Sequence, residues 1–162
     1  MLRLAPGRAT LTAMPSLFRA SDAQDLLARV QRLEPNSKAL WGKMNPAQML
    51  AHCQVPLGVA TGELRLGRSW IGVLLGWLAK RQLLADKPFG KNLPTAAEFR
   101  ADGPRDFARE RAQVVTLIEK IQANGAAGLT AQPHPFFGKL SVAQWEALMW
   151  KHLDHHLRQF GV

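Results

Sequence analysis

Apolar residues recur at three- and four-residue spacing along most of the chain, and no stretch shows the apolar–polar alternation of a half-buried strand. The pattern predicts five helices. The first opens at "SDAQ", where Ser21 can cap the helix and Gln24 can return a bond to it, and carries Leu26, Leu27, Val30 and Leu33 as its apolar stripe before Pro35 stops it. The second opens at "NPAQMLAHCQ" with Asn45 as N-cap and Pro46 at the first helical position, where a missing N–H costs nothing, and runs to about Gly62. The third covers about 68–85 and is apolar nearly all round in its first half, which predicts burial on more than one side. After the Pro- and Gly-rich loop "DKPFGKNLPTAAEF", the fourth runs from about Pro104 to Asn124, with Phe107, Val114, Val115, Leu117, Ile118 and Ile121 apolar and Gly125 placed as its C-terminal cap. The fifth opens at "SVAQ", a second capping box of Ser141 and Gln144, and continues to the chain end.

Long helices with one apolar stripe satisfy each other most simply as a bundle. The expected fold is therefore all-α: a four-helix bundle of the first, second, fourth and fifth helices, with the third lying in a long crossover. No internal repeat or low-complexity tract divides the chain, so residues 15–162 read as one domain. Met14 opens a cleaner amphipathic pattern than the residues before it. Residues 1–14 thus read as a loose, disordered leader, or as sequence ahead of the true start.

Phase along the last helix sorts its histidines. At about 100° per residue, Trp145, Leu148, Met149, His152, His156 and Gln159 share one side, which must face the bundle. His152 and His156 stand one turn apart there, the i, i+4 spacing by which two imidazoles converge on one ion. His155 sits beside the stripe, and Lys151, Asp154 and Arg158 take the wet side. The second helix places His52 with Met49, Val55, Pro56 and Val59 on another inward face. Pro56 leaves the His52 carbonyl without its helical partner, so a bend or bulge is expected there.

Three neutral imidazoles with an open position have the composition of a catalytic metal site, and imidazole suits zinc, nickel, iron and manganese alike. An i, i+4 histidine pair taken alone is a weak signal, because buried histidines bonded to backbone are common. His134, held extended by Pro135, could cap its loop or reach a pocket rim; the loop role is preferred. Cys53 lies about 100° from His52 on the helix and reads as a small buried residue, not a nucleophile.

Charge and cysteine usage narrow the partners. The net charge of +9 is dispersed among acids with no long basic run, and no recognised nucleic-acid motif accompanies it, so nucleic-acid binding is disfavoured. A single cysteine cannot form an internal disulfide and fits a reducing cytoplasm. The apolar run "WIGVLLGWLA" spans ten residues, half of what a membrane span needs, and reads as a core, lid or homodimer-interface segment rather than a membrane anchor.

The blocks "NPAQMLAHC", "KPFGKNLPTAAEF", "HPFFGKLSVAQW" and "KHLDHHLRQFG" resemble the DinB/YfiT-like superfamily of metal-dependent helical bundles, in a branch mostly without assigned function. The resemblance covers about Pro15 to Val162. It implies a divalent metal, zinc or nickel first, held by His52, His152 and His156. His155 belongs to the branch pattern without an assigned role, and with His134 is a candidate for the second shell or pocket rim. Better-understood relatives use low-molecular-weight thiols as transferases and isomerases, which is analogy for this chain. Two functions follow as expectations. The first is an enzyme in which the metal acidifies a water or a low-molecular-weight thiol to attack a small-molecule substrate. For zinc-bound water the fall is from 15.7 to about 7, on the order of 12 kcal/mol. The second is a non-catalytic bundle, metal-free, that binds a small ligand or another protein.

Overall fold

A computed structural model describes residues 14–81, 83–85, 87–93 and 99–162. Among the described residues the protein is helical, with five α-helices and no strand. They are α1 (Ala20–Arg32), α2 (Pro46–Thr61), α3 (Trp70–Lys80), α4 (Phe107–Asn124) and α5 (Val142–Gln159), with a short 3-10 turn at Gly125–Gly128. The leader anticipated at the N-terminus lies, apart from Met14, outside the described residues.

Capping chemistry sets most of the boundaries. At α2 the Asn45 side chain accepts from the Gln48 N–H and the Gln48 side chain accepts from the Asn45 N–H, while Gly62, at φ +76°, closes the other end. Ser141 and Gln144 make the same reciprocal pair at α5. At α4 the Asp106 carboxylate takes the Arg109 N–H at 2.7 Å, so the helix begins three residues after Pro104. The start of α1 departs from expectation: Arg19 is its N-cap and Ser21 lies inside the first turn, its hydroxyl bonded to Asp22. Asp22 instead anchors the entering chain by accepting the Ser16 N–H at 2.8 Å.

Helices α1 and α2 each pack on both α4 and α5. Their apolar stripes meet in one core, where Leu26, Val30, Met49, Leu57, Ile118, Met149 and Leu153 lose essentially all contact with solvent. Each such side chain contributes roughly 1.5–3 kcal/mol of transfer free energy. Helix α2 carries no charged residue and is buried round most of its circumference; Pro56 lies inside it and does not end it. No helix of the described residues is long and apolar enough to cross a membrane.

Two expectations are corrected. Lys151 and Asp154 do not lie on a wet face; both are buried. Helix α1 lays Arg29 against Asp154, Nη1 to Oδ1 at 2.8 Å, and the Lys151 ammonium donates to the carbonyls of Ala85 and Lys87 in the crossover. Single-helix phase sees one inward stripe, whereas α5 is covered on several sides. Helix α3 is wrong in the opposite sense. Only Gly72 and Gly76 are buried in it, and its large apolar side chains point into solvent. The side turned to the protein is glycine, which allows the Phe136 backbone to approach so closely that a Cβ at Gly72 would lie 2.6 Å from it.

Candidate metal centre

Packing of α2 against α5 brings His52 to His152 and His156. The three imidazole centroids form a near-equilateral triangle: 4.8 Å from His52 to His152, 4.7 Å from His52 to His156 and 4.6 Å from His152 to His156. One ring nitrogen from each lies within 4.8 Å of the other two, so the three could hold a metal ion. His52 and His156 are buried, whereas His152 keeps part of its surface open with its Nδ1 sealed from solvent.

Hydrogen bonding determines where the protons sit. His52 Nδ1 is 2.6 Å from the Phe99 carbonyl oxygen, which can only accept, so Nδ1 carries the proton and Nε2 presents a lone pair. His52 Nε2 faces His152 Nε2 at 3.0 Å. On His156, Nδ1 is 2.9 Å from Gln159 Oε1. The Gln159 amide is oriented by its own Nε2, which donates to the Trp41 carbonyl at 2.6 Å, so Oε1 accepts from His156 and Nε2 of that ring is left bare. Gly42, at φ +79°, leaves the space that the Gln159 amide occupies.

Burial keeps these rings neutral. Desolvation lowers His52, against a smaller opposing effect of the Phe99 hydrogen bond. It lowers His152 well below the usual imidazole range, with His156 and His52 adding repulsion. It brings His156 to about 3, with repulsion from His52 also lowering and the Gln159 bond raising it. Neutral imidazole is the form that binds a metal.

The residues fit a divalent cation in donor type and number. Ligating histidines ordinarily donate their remote N–H to a carbonyl or carboxylate, as His52 and His156 do here. His152 Nδ1 is a buried nitrogen without a partner. Around one tetrahedral ion, nitrogens at 2.0–2.1 Å stand roughly 3.3 Å apart, close to the 3.0 Å between His52 and His152.

The remaining sequence candidates separate. His155 is half-buried between Trp41, at 5.6 Å, and Phe89, at 6.3 Å, and bonds to the Phe89 backbone. Burial lowers its pKa and Asp154 opposes the shift. His134 takes the preferred loop role: it is buried against Phe99, Phe137 and Trp145, and its Nδ1 accepts the N–H groups of Phe136 and Phe137 at 3.0 and 3.2 Å. Desolvation takes it to about 4. Cys53 is buried beside Met49, and burial pushes its thiol far above the ordinary range.

Two participants were not assigned roles from sequence. Gln159 carried a signal, a polar residue at an inward position three after His156. The Phe99 carbonyl carried none, since it belongs to a loop. Beside it lies a cavity of about 320 Å³, lined by Ala51 and Gln54 of α2, by Ala101 and by the guanidinium-bearing Arg100, Arg105 and Arg109. The buried Glu110 carboxylate in its wall is held by Gln54 Nε2 at 2.6 Å.

The described residues thus define an all-helical protein with a cluster of three imidazoles able to hold a metal ion. Residues 14–161 match the family described as Protein of unknown function (DUF1569), and the chain belongs to that family. No curated protein and no solved structure matches it.

Proposed function

We propose that the chain is a metal-dependent enzyme of the DinB/YfiT kind, a four-helix bundle of α1, α2, α4 and α5 in which His52, His152 and His156 hold a divalent cation, zinc or nickel first. The packing of α1 and α2 on both α4 and α5 supports the bundle. One observation carries the metal: the Nδ1 protons of His52 and His156 are committed outward to Phe99 and Gln159, which leaves both Nε2 lone pairs for the centre.

A divalent cation so held supplies the positive charge that makes a water or a low-molecular-weight thiol acidic enough to act as nucleophile near neutral pH. The chain's own thiol does not serve, because Cys53 is sealed in the core with its pKa raised. A thiol would therefore arrive from solution. Phe99 and Gln159 fix the planes of two imidazoles, and burial withholds protons from all three. Arg100, Arg105 and Arg109 line a cavity one residue along the chain from both His52 and Phe99, where guanidinium groups suit the carboxylates of an acidic substrate or thiol.

The test is metal content of tag-free protein, followed by transferase, isomerase and hydrolase assays with and without glutathione-like thiols. The expected result is near-stoichiometric metal and a thiol- or metal-dependent turnover. Metal-free protein whose melting temperature responds to neither zinc nor nickel removes the metal. A metal-loaded protein inert in every assay removes the catalysis and leaves a binding bundle.

A further inference from the structure

Helix α3 presents seven large apolar side chains to solvent in eleven residues, among them Trp70 at 75%, Leu74 at 65% and Trp77 at 59% exposed. Exposed apolar patches of this density mark contact surfaces. The helix is not a frayed segment. Ser69 caps it and donates its N–H to the Pro135 carbonyl, the Lys80 ammonium donates to the Lys139 carbonyl, and Gly72 and Gly76 seat it on the Phe136 backbone. The tertiary structure spends the glycine side on docking and thereby holds the tryptophans outward.

Charge identifies the occupant. From Leu64 to Ala85 every charged residue is a cation: Arg65 and Arg68 ahead of the helix, Lys80 and Arg81 at its end. Indole rings flanked by Arg and Lys are the composition of a helix lying in the headgroup region of a bilayer, where the rings enter the acyl boundary and the cations meet anionic lipid. A second copy fits less well. Two-fold antiparallel pairing of α3 would set Arg68 of one copy beside Lys80 and Arg81 of the other. It would also offer seven residues where a stable interface takes roughly 20–30 on each side. At about 1.5 Å per residue the helix is far shorter than a bilayer core, so it would lie in the membrane plane.

We propose that α3 is a peripheral membrane-binding helix that seats Trp70, Val73, Leu74 and Trp77 in the interface of an anionic phospholipid bilayer. This does not depend on the metal centre. The experiment is flotation of the full chain with vesicles of phosphatidylcholine alone or mixed with phosphatidylglycerol, read together with tryptophan emission. The wild type is expected to float with the mixed vesicles, to shift its emission to the blue, and to release as salt rises. The triple variant Trp70→Ser, Leu74→Ser, Trp77→Ser removes only exposed side chains, and its partitioning should fall by at least about tenfold with circular dichroism unchanged. Arg65→Glu with Arg81→Glu should weaken binding to mixed vesicles alone. The proposal is overturned if the wild type ignores anionic vesicles or if the triple variant binds them equally well. A wild-type dimer that the triple variant dissolves, without vesicle binding, would give the face to a second copy.

Discussion

His52 Nε2 lies 3.0 Å from His152 Nε2, a contact between residues 100 apart in sequence that exists only because α2 packs on α5. Metal should therefore stabilise the folded chain. Zinc or nickel at a hundred times its dissociation constant adds about 2.7 kcal/mol, which for a chain of this size is a rise of roughly 5–11 °C in melting temperature. His52→Ala and His152→Ala should abolish the rise while helical circular dichroism survives, as differential scanning with added metal would reveal.

Gln159 orients His156 and is itself held by Trp41. Replacing it by Leu removes the acceptor for His156 Nδ1–H, and metal affinity should fall by about 10–100-fold. Titration calorimetry would measure this; an unchanged affinity would show that His156 needs no such support.

His134 gives a pH dependence with a defined sign. Its pKa is near the ordinary 6.5 in the unfolded chain and about 4 in the fold, where burial opposes the charge and Nδ1 already accepts two N–H bonds. The unfolded state binds the proton more readily. Stability from this residue is thus fully present above 6.5 and is lost as pH falls towards 4, by about 3 kcal/mol. Urea unfolding at several pH values should show a shallower acid dependence for His134→Gln than for the wild type.

Asp154 is buried with Arg29 at 2.8 Å and also takes Arg158 Nε at 2.9 Å. Asp154→Ala removes the buried carboxylate and leaves the Arg29 guanidinium with the exposed Asp25 at 3.6 Å and the Asp154 and Val162 carbonyls, at a cost of up to roughly 3–5 kcal/mol, whereas the double change Arg29→Met, Asp154→Leu should recover most of that loss. Equilibrium unfolding of the three proteins distinguishes a stranded charge from general damage.

Gly76 lets the Phe136 backbone lie against α3. Gly76→Val should undock the helix and cost about 1–3 kcal/mol, with new protease cleavage between residues 64 and 85 as the direct readout.

Legibility from sequence followed the range of the forces involved. The Asn45 and Ser141 caps, the stop at Gly62 and the apolar stripes of α1, α4 and α5 depend on neighbours within a turn or two, and all were readable. The start of α1 was misplaced because a turn at 16–19, closed by the Arg19 N–H on the Ser16 carbonyl and tied down by Asp22 accepting the Ser16 N–H, starts the helix ahead of Ser21. The inward phases of His52, His152 and His156 could be read from periodicity. Of their outward partners, Gln159 showed only as a polar residue on the inward stripe, its role being set by Trp41, and the Phe99 carbonyl, in a loop, did not show at all.

What the sequence alone determined is the helical character of this chain, most helix ends, and which imidazoles turn inward, because 3.6-residue periodicity and capping are local. Tertiary structure decided the rest. It buried Lys151 and Asp154 by bringing up the crossover and Arg29, and it turned the apolar side of α3 outward. A hydrophobic residue records only a preference for leaving water. Whether it does so depends on which side another backbone can approach, and at α3 only the two glycines allow that approach.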